Sequence, residues 1–356
     1  MLYSKTCLLH FALDHEPLIL KAIFLVRKGD PGNAFEIRDV PIPSPQPYEI
    51  LIKVEAFGLN FADIVAREGM YRDAPPRPFV PGYDVVGTIE RVGNEVKHLQ
   101  AGDHVTAMTR FGGYAEYAVT DARACVRIPV GVNPAVACAL TTQYCTAYYC
   151  AAVAASVSGG EKVIIHSAAG GVGMALLQYC RYKNCDIIAT TGSEQKRKML
   201  LDSGASRVIN TSSENFSEKV RTIFPDGTDV IFDALGGKFV RQGISLLAAG
   251  GRMVSYGASQ MTGTGIFQRI NAALQFGIYH PAQFMMTSKS FIGVNMLKIA
   301  DERPLVLKRC LEEAMDLFHK GIFRPSEGKI FPASQIATAH KFLQERKATG
   351  KVALEW

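Results

Sequence analysis

The sequence predicts an α/β protein made of two units, a β-rich, barrel-like unit and a doubly wound parallel sheet. Short β-branched runs separated by Gly, Pro and Asp fill the region from Lys21 to about Thr120. From Lys162 onward, apolar strands alternate with helices. Strands joined through helices pair in parallel by right-handed crossovers, which is the pattern of a doubly wound sheet. A chain of 356 residues is long enough for both units.

The first unit is predicted from short strands with frequent turn signals. The strand candidates are KAIFLV, EILIKVEAFGLN, DVVGTIERVG and DHVTAM, with PIPSPQP as a proline-rich connector. Many short strands with close turns are typical of a barrel. The pattern then changes to a helical segment rich in small residues, with Asn133 as a suitable N-cap and Pro134 in the first turn.

The second unit is predicted from a regular alternation. Its strands are KVIIHS, DIIATT, RVIN, DVIFDAL and GRMVSYG, and its first helix runs from about Gly171 to Tyr182. Beyond Gly257 the sequence is apolar and poorly patterned, and it predicts a helix broken near Pro281 followed by a last parallel strand, SFIGVN. The helix PLVLKRCLEEAMDLFHKG and the strand KVALEW follow.

Composition excludes several classes of protein. The 39 Lys and Arg against 33 Asp and Glu make a mildly basic chain, far from the concentrated patch of a nucleic-acid binder. No run of apolar residues is long enough to span a membrane, and no secretory cleavage pattern follows the N-terminal segment. The eight cysteines show no C-x-x-C spacing, which favours a reducing compartment, and we expect the cytoplasm. Phosphate loops of NTPases and nucleophile elbows of hydrolases are missing from the sequence.

A glycine-rich turn is the main candidate for a ligand site. It lies in IIHSAAGGVGMALLQYC, between a strand and a helix, and its expected phosphate contacts are Ala169, Gly170, Gly171 and Val172. Glycines let the backbone approach a diphosphate at a helix N-terminus, and Gly173 would allow tight packing of the helix on the strand. Ala168 replaces the usual first glycine, so a plain strand-to-helix turn is the alternative.

The end of the second strand indicates which dinucleotide would bind. NAD sites place Asp or Glu there, but this chain has Thr191, Gly192 and Ser193, followed by Lys196 and Arg197. Hydroxyls and a lysine suit a 2′-phosphate, so the sequence predicts NADP(H). The alternative is that these basic residues only solvate a helix face.

Eight segments carry a resemblance to a known family. They are GLNFADIVAREGMY, PGYDVVG, AGDHV, TAYY, HSAAGGVGMALLQ, FDALGG, VSYG and TGKV. Together they resemble the medium-chain dehydrogenase/reductase superfamily, and within it the zinc-free quinone oxidoreductase branch. The resemblance implies an N-terminal extension at residues 1–20, a GroES-like catalytic domain at 21–145 and 288–356, and a Rossmann cofactor domain at 146–287.

The resemblance also indicates how the site differs from zinc-dependent relatives. Those enzymes have Cys where this chain has Asn60, and Gly-His-Glu where it has Gly82, Tyr83 and Asp84. Without thiolate and imidazole at these places, the sequence predicts no metal site. The acceptor must then already be electrophilic, such as a quinone or an α,β-unsaturated carbonyl compound.

The candidates for hydrogen bonds to such an acceptor are Asn60 and Tyr71, with Arg67 nearby in sequence. Tyr71 also falls where related enoyl reductases place a proton-donating tyrosine. The alternatives are a loop-capping role for Asn60, a packing role for Tyr71 and a structural role for Arg67. Val65 stands where the branch often has a further tyrosine. Asp63 and Asp84 are expected to form a local hydrogen-bonding framework.

The resemblance implies further cofactor contacts spread along the chain. They are Thr146, Leu235, Tyr256, Gly257, Phe291, Gly293 and Lys351. His166 is expected to be a core histidine, and His98 and His104 receive no role.

The sequence therefore predicts an NADPH-dependent, zinc-independent reductase of quinones or α,β-unsaturated carbonyl compounds. One alternative is a 2-enoyl thioester reductase. Another is a non-enzymatic NADPH-binding protein that uses its apolar segment at 266–286 to hold lipid or a partner, although the preferred interpretation of that segment is a dimer-interface or pocket-lid helix. The edge strand FIGVN suggests a homodimer.

Overall fold

The computed structural model describes residues 19–259 and 274–356, and its strands form three sheets in these ranges. The strands are β1 (Ile19–Leu25), β2 (Phe35–Pro41), β3 (Glu49–Leu59), β4 (Asp84–Val92), β5 (His104–Met108), β6 (Tyr117–Asp121), β7 (Cys125–Arg127), β8 (Lys162–Ile165), β9 (Asp186–Thr191), β10 (Arg207–Asn210), β11 (Thr228–Asp233), β12 (Leu247–Ser255), β13 (Ser290–Gly293), β14 (Lys329–Pro332) and β15 (Val352–Glu355). The helices are α1 (Pro31–Ala34), α2 (Phe61–Arg67), α3 (Pro134–Ala139), α4 (Cys145–Tyr148), α5 (Gly171–Tyr182), α6 (Arg197–Asp202), α7 (Phe216–Ile223), α8 (Lys238–Leu246), α9 (Pro281–Thr287), α10 (Met296–Glu302), α11 (Pro304–His319) and α12 (Ile336–Gln344).

The barrel unit is a sheet of mostly antiparallel strands, as the sequence predicts. Its order is β14-β15-β3-β4-β5-β7, and β6 also pairs with β3. In the middle of β3 the side chains alternate, with Lys53 and Glu55 exposed and Val54 and Ala56 buried. One face of the strand therefore lies on the core. β15 pairs antiparallel with β3, so the start of β15 at Val352 lies beside the end of β3 at Leu59, next to the loop that follows β3.

The second sheet has six parallel strands in the order β10-β9-β8-β11-β12-β13. The strand order reverses between β8 and β11: β9 and β10 are added on one side of β8, and β11, β12 and β13 on the other. A doubly wound sheet opens its ligand crevice at such a point. β13 completes this sheet because Ser290–Gly293 pairs with Arg252–Ser255. The predicted boundary at residue 287 assigns this strand to the barrel unit, but its main-chain hydrogen bonds attach it to the six-stranded sheet.

A long helical segment joins the two units. Asn133 caps it by accepting hydrogen bonds from the amides of Ala135 and Val136, as its sequence predicts. Two π-type turns interrupt it, at Leu140–Tyr144 and Tyr149–Ala154, on either side of α4. Such turns widen a helix locally and are frequent at functional sites.

Two segments singled out by the sequence are described only in part. Of the predicted extension at 1–20, only Ile19 and Leu20 are described, and both belong to β1. Of the apolar segment at 266–286, residues 266–273 lie outside the described ranges, and α9 begins with Pro281 at its first turn. Within the described ranges, we find no helix that combines the length and the apolar character needed to cross a membrane.

Candidate functional site

The glycine-rich turn between β8 and α5 leaves a helix N-terminus bare. Gly170 is the N-cap in an extended conformation, and no side chain caps the helix. The first amide groups of an α-helix have no partner inside the helix, so these groups can bind an anion. A Cβ atom on Gly173 would lie 2.5 Å from the carbonyl oxygen of Ser167, so the turn and the helix approach each other too closely for any other residue.

A cavity of about 210 Å³ opens beside this turn, and both units line it. The predicted contacts Ala169, Gly170 and Gly171 lie on its wall, and Thr349, Gly350 and Lys351 of the barrel unit lie opposite. The remaining lining residues are Ala139, Gln143, Tyr144, Met174, Gln178, Met199, Ser203, Arg324, Pro325 and Ser326. Gln143 covers Gly171 closely, because a Cβ atom there would lie 2.1 Å from the Gln143 amide.

Most of the other predicted cofactor contacts lie at the carboxyl edge of the six-stranded sheet. This edge holds the ends of β9, β11, β12 and β13, with Thr191, Gly192, Ser193, Leu235, Tyr256, Gly257 and Gly293. Val172 is in the first turn of α5, and Thr146 is on α4 in the long helix. Phe291, another predicted cofactor contact, does not lie at this edge. It is two residues before the end of β13, and its side chain is 42% exposed.

Asp233 organises this edge, and the sequence analysis did not identify it. Its carboxylate accepts hydrogen bonds from the amides of Leu235 (3.0 Å) and Gly236 (3.1 Å), and from the Ser255 hydroxyl (3.3 Å). Burial raises the pKa of Asp233 to about 6. The turn after β11 is therefore fixed by a buried side chain.

Lys196 meets a second basic residue that the sequence analysis also missed. Its ammonium group donates to the carbonyl oxygen of Arg346 at 3.1 Å. Burial and the charge of Arg346 both lower the pKa of Lys196. The structure thus brings two cations together next to the end of β9. Arg346 lies three residues before Thr349, the first residue of the TGKV segment, so its nearness to that motif was the available signal.

A buried network of four side chains lies on the barrel side of the cavity. Lys351 and Asp84 are both completely buried, with 2.7 Å between Nζ and Oδ2. The ammonium group also donates to Asn60 Oδ1 at 2.7 Å and to Thr142 Oγ1 at 3.0 Å. All three of its donors are therefore used inside the protein. Lys351, predicted as a cofactor contact, has no ammonium donor left for a ligand.

The network fixes the orientation of the Asn60 amide. Its Oδ1 faces the ammonium group, and its Nδ2 donates to Asp84 Oδ2 at 2.7 Å. Thr142 donates to the same carboxylate oxygen at 2.5 Å. A flipped amide would place donors against the ammonium and an acceptor against the carboxylate, so only one orientation is compatible. Thr142 lies within a π-type turn, four residues before Thr146.

Gly58 makes room for this network. A Cβ atom on Gly58 would lie 1.9 Å from Asp84 Oδ1 and 2.3 Å from Lys351 Cε. The ion pair therefore packs directly against the backbone of β3. A glycine inside a strand, as in the GLNF segment, is the sequence signal for such a close approach.

Tyr71 belongs to a cluster of aromatic side chains in the barrel unit. The ring of Tyr71 contacts the rings of Tyr83 and Phe111, with centroids 5.9 and 6.4 Å apart. Partial burial raises the pKa of Tyr71 to about 12, so its hydroxyl stays protonated at neutral pH. The Asp63 carboxylate accepts a hydrogen bond from the backbone N–H of Asn60 at 2.8 Å. Burial raises the pKa of Asp63 to about 7.

Arg67, a candidate for hydrogen bonding to the acceptor, does not line the cavity. It is buried, and its guanidinium donates to the carbonyl oxygen of Gly29 and to Gln344 Oε1. These bonds tie α2 to α12 and to the loop after β1. The side chain thus makes contacts that stabilise the barrel unit.

The histidines behave mostly as expected. His166 is buried at the end of β8, its Nδ1 lies 3.1 Å from Thr190 Oγ1, and burial lowers its pKa to about 3. His98 lies near the Ala122 carbonyl, and His104 pairs with Glu55. In the described part of the chain, no three His, Cys, Asp or Glu side chains are grouped as a metal site requires.

Two family models match this chain. Residues 46–130 match the alcohol dehydrogenase GroES-like domain, and residues 171–312 match the zinc-binding dehydrogenase domain. A human quinone oxidoreductase is 32% identical over 94% of this chain and 98% of its own length. A synaptic vesicle membrane protein VAT-1 homolog of Danio rerio is 31% identical over 88% of this chain, which spans 65% of that relative's length.

Solved structures of two related enzymes have the same fold as this chain. A quinone oxidoreductase of Escherichia coli complexed with NADPH has a TM-score of 0.81 at 25% identity, over 94% of this chain and 100% of its own. The CurK enoyl reductase has a TM-score of 0.81 at 26% identity, over 95% and 99%. The fold and the cleft define an α/β oxidoreductase with a GroES-like unit and a Rossmann unit, as the sequence predicts. The chain belongs to the medium-chain dehydrogenase/reductase superfamily, and its relatives include the quinone oxidoreductase branch and the VAT-1 homologs that its motifs resemble.

Proposed function

We propose that this protein is an NADPH-dependent reductase that transfers hydride to quinones or α,β-unsaturated carbonyl compounds. One observation carries the proposal. Lys351 belongs both to the wall of the cavity at the glycine-rich turn and to the network that orients the Asn60 amide. A dinucleotide on the turn would therefore lie next to a fixed hydrogen-bond donor.

The cofactor is NADP(H), as the sequence predicts. The uncapped N-terminus of α5 suits a diphosphate, because its free amides and its positive dipole end both favour an anion. When bound, NADPH supplies a hydride to the acceptor. The side chains of the protein bind the cofactor, orient the acceptor and donate a proton.

We assign the 2′-phosphate to Lys196 and Arg346. The two residues meet at the end of β9, next to the hydroxyl side chains of Thr191 and Ser193. Burial, and to a smaller extent the charge of Arg346, lower the pKa of Lys196 in the free protein, and a bound phosphate would offset both effects. Among the described residues, neither of these two cationic side chains forms an ion pair with a carboxylate. Two unpaired cations beside the ribose site favour a 2′-phosphate, which distinguishes NADP from NAD.

We assign Asn60 to hydrogen bonding of the acceptor oxygen. One hydrogen of its Nδ2 is used on Asp84, and the second has no partner among the described residues. A fixed amide donor costs no reorganisation when negative charge develops on the acceptor oxygen during hydride transfer. Thr142, Asp84 and Lys351 act as positioning residues, because they hold the amide without touching the acceptor.

We assign Tyr71 to proton donation. Its phenol is protonated at neutral pH, and it lies in the stretch after α2, where its ring packs against Tyr83 and Phe111. We assign Arg67 a structural role, since both of its terminal nitrogens are used within the barrel unit. The sequence hypothesis for Arg67 as a catalytic residue is therefore withdrawn in favour of its alternative.

A 2-enoyl thioester reductase is the second candidate. Tyr71 supports it, because reduction of an enoyl double bond needs one proton donor beside the hydride. The two hypotheses differ in the acceptor pocket and in the groove that would hold a thioester carrier.

The test is a panel of acceptors. Purified protein with NADPH is supplied in parallel with simple quinones, enones and enoyl thioesters, and loss of the reduced cofactor is followed by absorbance. Turnover of quinones or enones above enoyl thioesters supports the main proposal, and the reverse order supports the alternative. NADPH binding without turnover of any acceptor contradicts both. An Asn60→Ala variant controls for reduction outside the site.

We further propose a homodimer in the cytoplasm. β13 forms an exposed edge of the six-stranded sheet, and Leu274, Ile278, Met285 and Met286 are exposed apolar side chains near it. Pairing of two such edges would cover both features. The cysteines in the described ranges are free thiols, which suits a reducing compartment. Light scattering during gel filtration tests the oligomeric state.

A further inference from the structure

The C-terminus of α5 ends in a backbone motif that brings two side chains together. Asn184 has a φ of +57°, in the left-handed region. Its amide donates to the Arg181 carbonyl at 2.9 Å, and the Cys185 amide donates to the Cys180 carbonyl at 3.0 Å. These two bonds define a Schellman motif, in which the residues at both ends of the longer bond place their side chains in contact. In most proteins that contact is hydrophobic.

Here both contacting residues are cysteines. Cys180 is completely buried, and Cys185 is partly exposed. Cys180 lowers the pKa of Cys185 by hydrogen bonding, while the pKa of Cys180 is raised by the same interaction and by burial. Cys185 also lies 3.5 Å from the Ser158 carbonyl oxygen. The accessible thiol is thus the one that ionises more readily.

The surroundings of Cys185 contain one acid and one base. Glu161 raises the pKa of Cys185 by its charge and Arg252 lowers it, and these two residues pair with each other at 2.7 Å. Their effects partly cancel, so the contact with Cys180 has the largest influence. Among the cysteines of the described ranges, the others are buried, so a soluble oxidant meets Cys185 first.

We propose that Cys180 and Cys185 form a reversible disulfide when the protein encounters a peroxide. The Cys185 thiolate attacks the peroxide oxygen, the O–O bond breaks, and Cys185 becomes a sulfenic acid as one water leaves. The Cys180 sulfur then attacks the sulfenic sulfur, its proton leaves with the hydroxyl as a second water, and the S–S bond forms. Two thiols lose two electrons to one peroxide, and a dithiol reductant reverses the change.

The modification would join two elements that each carry part of the proposed cofactor site. α5 begins at the glycine-rich turn, and β9 begins directly after Cys185 and ends at Thr191. A disulfide would connect the end of α5 to the start of β9. This inference concerns the thiols alone and does not depend on the proposed reductase activity.

The test measures the bond itself. Reduced full-length protein is treated with graded hydrogen peroxide, blocked with an alkylating agent, and analysed by mass spectrometry. We expect loss of two hydrogens and a linked pair of tryptic peptides, because Arg181 and Lys183 allow trypsin to cut between the two cysteines. Dithiothreitol should restore both free thiols.

Two variants separate the roles of the cysteines. In Cys180→Ser, the sulfenic acid at Cys185 has no partner, so we expect it to persist and to be trapped by dimedone. In Cys185→Ser, we expect oxidation of Cys180 to slow by about tenfold or more, because its thiol is buried. Cys125→Ser, at a buried site elsewhere, is the matched control and should behave like the wild type.

The proposal is overturned by either of two results. One is a wild-type protein that accumulates a dimedone-reactive Cys185 without any cross-link. The other is a first disulfide that joins a different pair of cysteines. If Cys180→Ser does not fold, peptide mapping of the wild type alone decides between these outcomes and the linked pair.

Discussion

Replacing Lys351 by Met should destabilise the protein strongly, because it leaves the Asp84 carboxylate buried without its counter-charge. At 2.7 Å and an effective dielectric constant of about 20, the attraction between the two charges is about 6 kcal/mol. Part of that is offset by the cost of removing both charges from water. Variants that break a fully buried pair lose about 3–5 kcal/mol of unfolding free energy. For a chain of 356 residues this lowers Tm by about 4–7 °C.

The assay is thermal and urea unfolding of four proteins. Lys351→Met is compared with the wild type, with Lys351→Met combined with Asp84→Asn, and with Lys347→Met. Lys347 pairs with Glu345 at the surface, and such exposed pairs contribute little. We expect the double variant to recover much of the loss, because a neutral amide is far cheaper to bury than an unpaired carboxylate. Lys347→Met should remain within about 0.5 kcal/mol of the wild type.

The same variant tests the assignment of Asn60. Without the ammonium group, the amide loses the contact that fixes Oδ1, so kcat should fall in Lys351→Met even at temperatures where the protein is folded. An unchanged Tm in Lys351→Met refutes the argument for a buried ion pair. Normal stability of the double variant together with a wild-type kcat would show that the network does not position Asn60.

Four further outcomes are expected. Lys196→Ala should weaken NADPH binding by about 10- to 150-fold and leave NADH binding nearly unchanged in titration calorimetry, and equal losses would remove the phosphate assignment. Tyr71→Phe should lower kcat by about 10²- to 10⁴-fold with little change in the Kd of NADPH, and an unchanged kcat would reduce Tyr71 to a packing residue. His166 has a folded pKa of about 3, below its unfolded value of about 6.5, so its contribution to stability is lost as pH falls below about 6.5. Between pH 7.5 and pH 5 the wild type should therefore lose about 2 kcal/mol more than His166→Asn in urea unfolding, and parallel curves would contradict a buried neutral imidazole. Gly173→Ala should lower the free energy of unfolding by about 1–3 kcal/mol and weaken NADPH binding, because the added Cβ has no space beside Ser167. Thermal shift with and without NADPH measures both effects, and wild-type values would show that the turn adapts.

The sequence allowed the regular elements to be predicted well, because local patterns determine them. β9 and β10 coincide with the runs DIIATT and RVIN, and α5 begins and ends where its pattern indicates. The placement of the last edge strand was less certain, since a short run such as SFIGVN pairs with either sheet by its own pattern. Only the parallel ladder with Arg252–Ser255 decides it.

The site was predicted in part, for a physical reason. Backbone contacts leave a local trace, so Gly170 and Gly171 were identified from the turn itself. Side-chain partnerships between distant segments leave no such trace. The partners of Asn60 come from positions 84, 142 and 351, and Lys196 meets Arg346 only through the fold. Arg67 was suggested by its place in a motif, although its contacts serve the barrel.

The distance along the chain between Asn60 and Lys351 has a consequence for synthesis. These two residues are 291 positions apart, which corresponds to roughly 15–60 s of ribosomal elongation. Asp84 precedes Lys351 by 267 residues, so for most of that interval it has no ammonium partner, and β3 has no β15 beside it. The barrel sheet and its buried ion pair therefore cannot be completed before β15 has been synthesised.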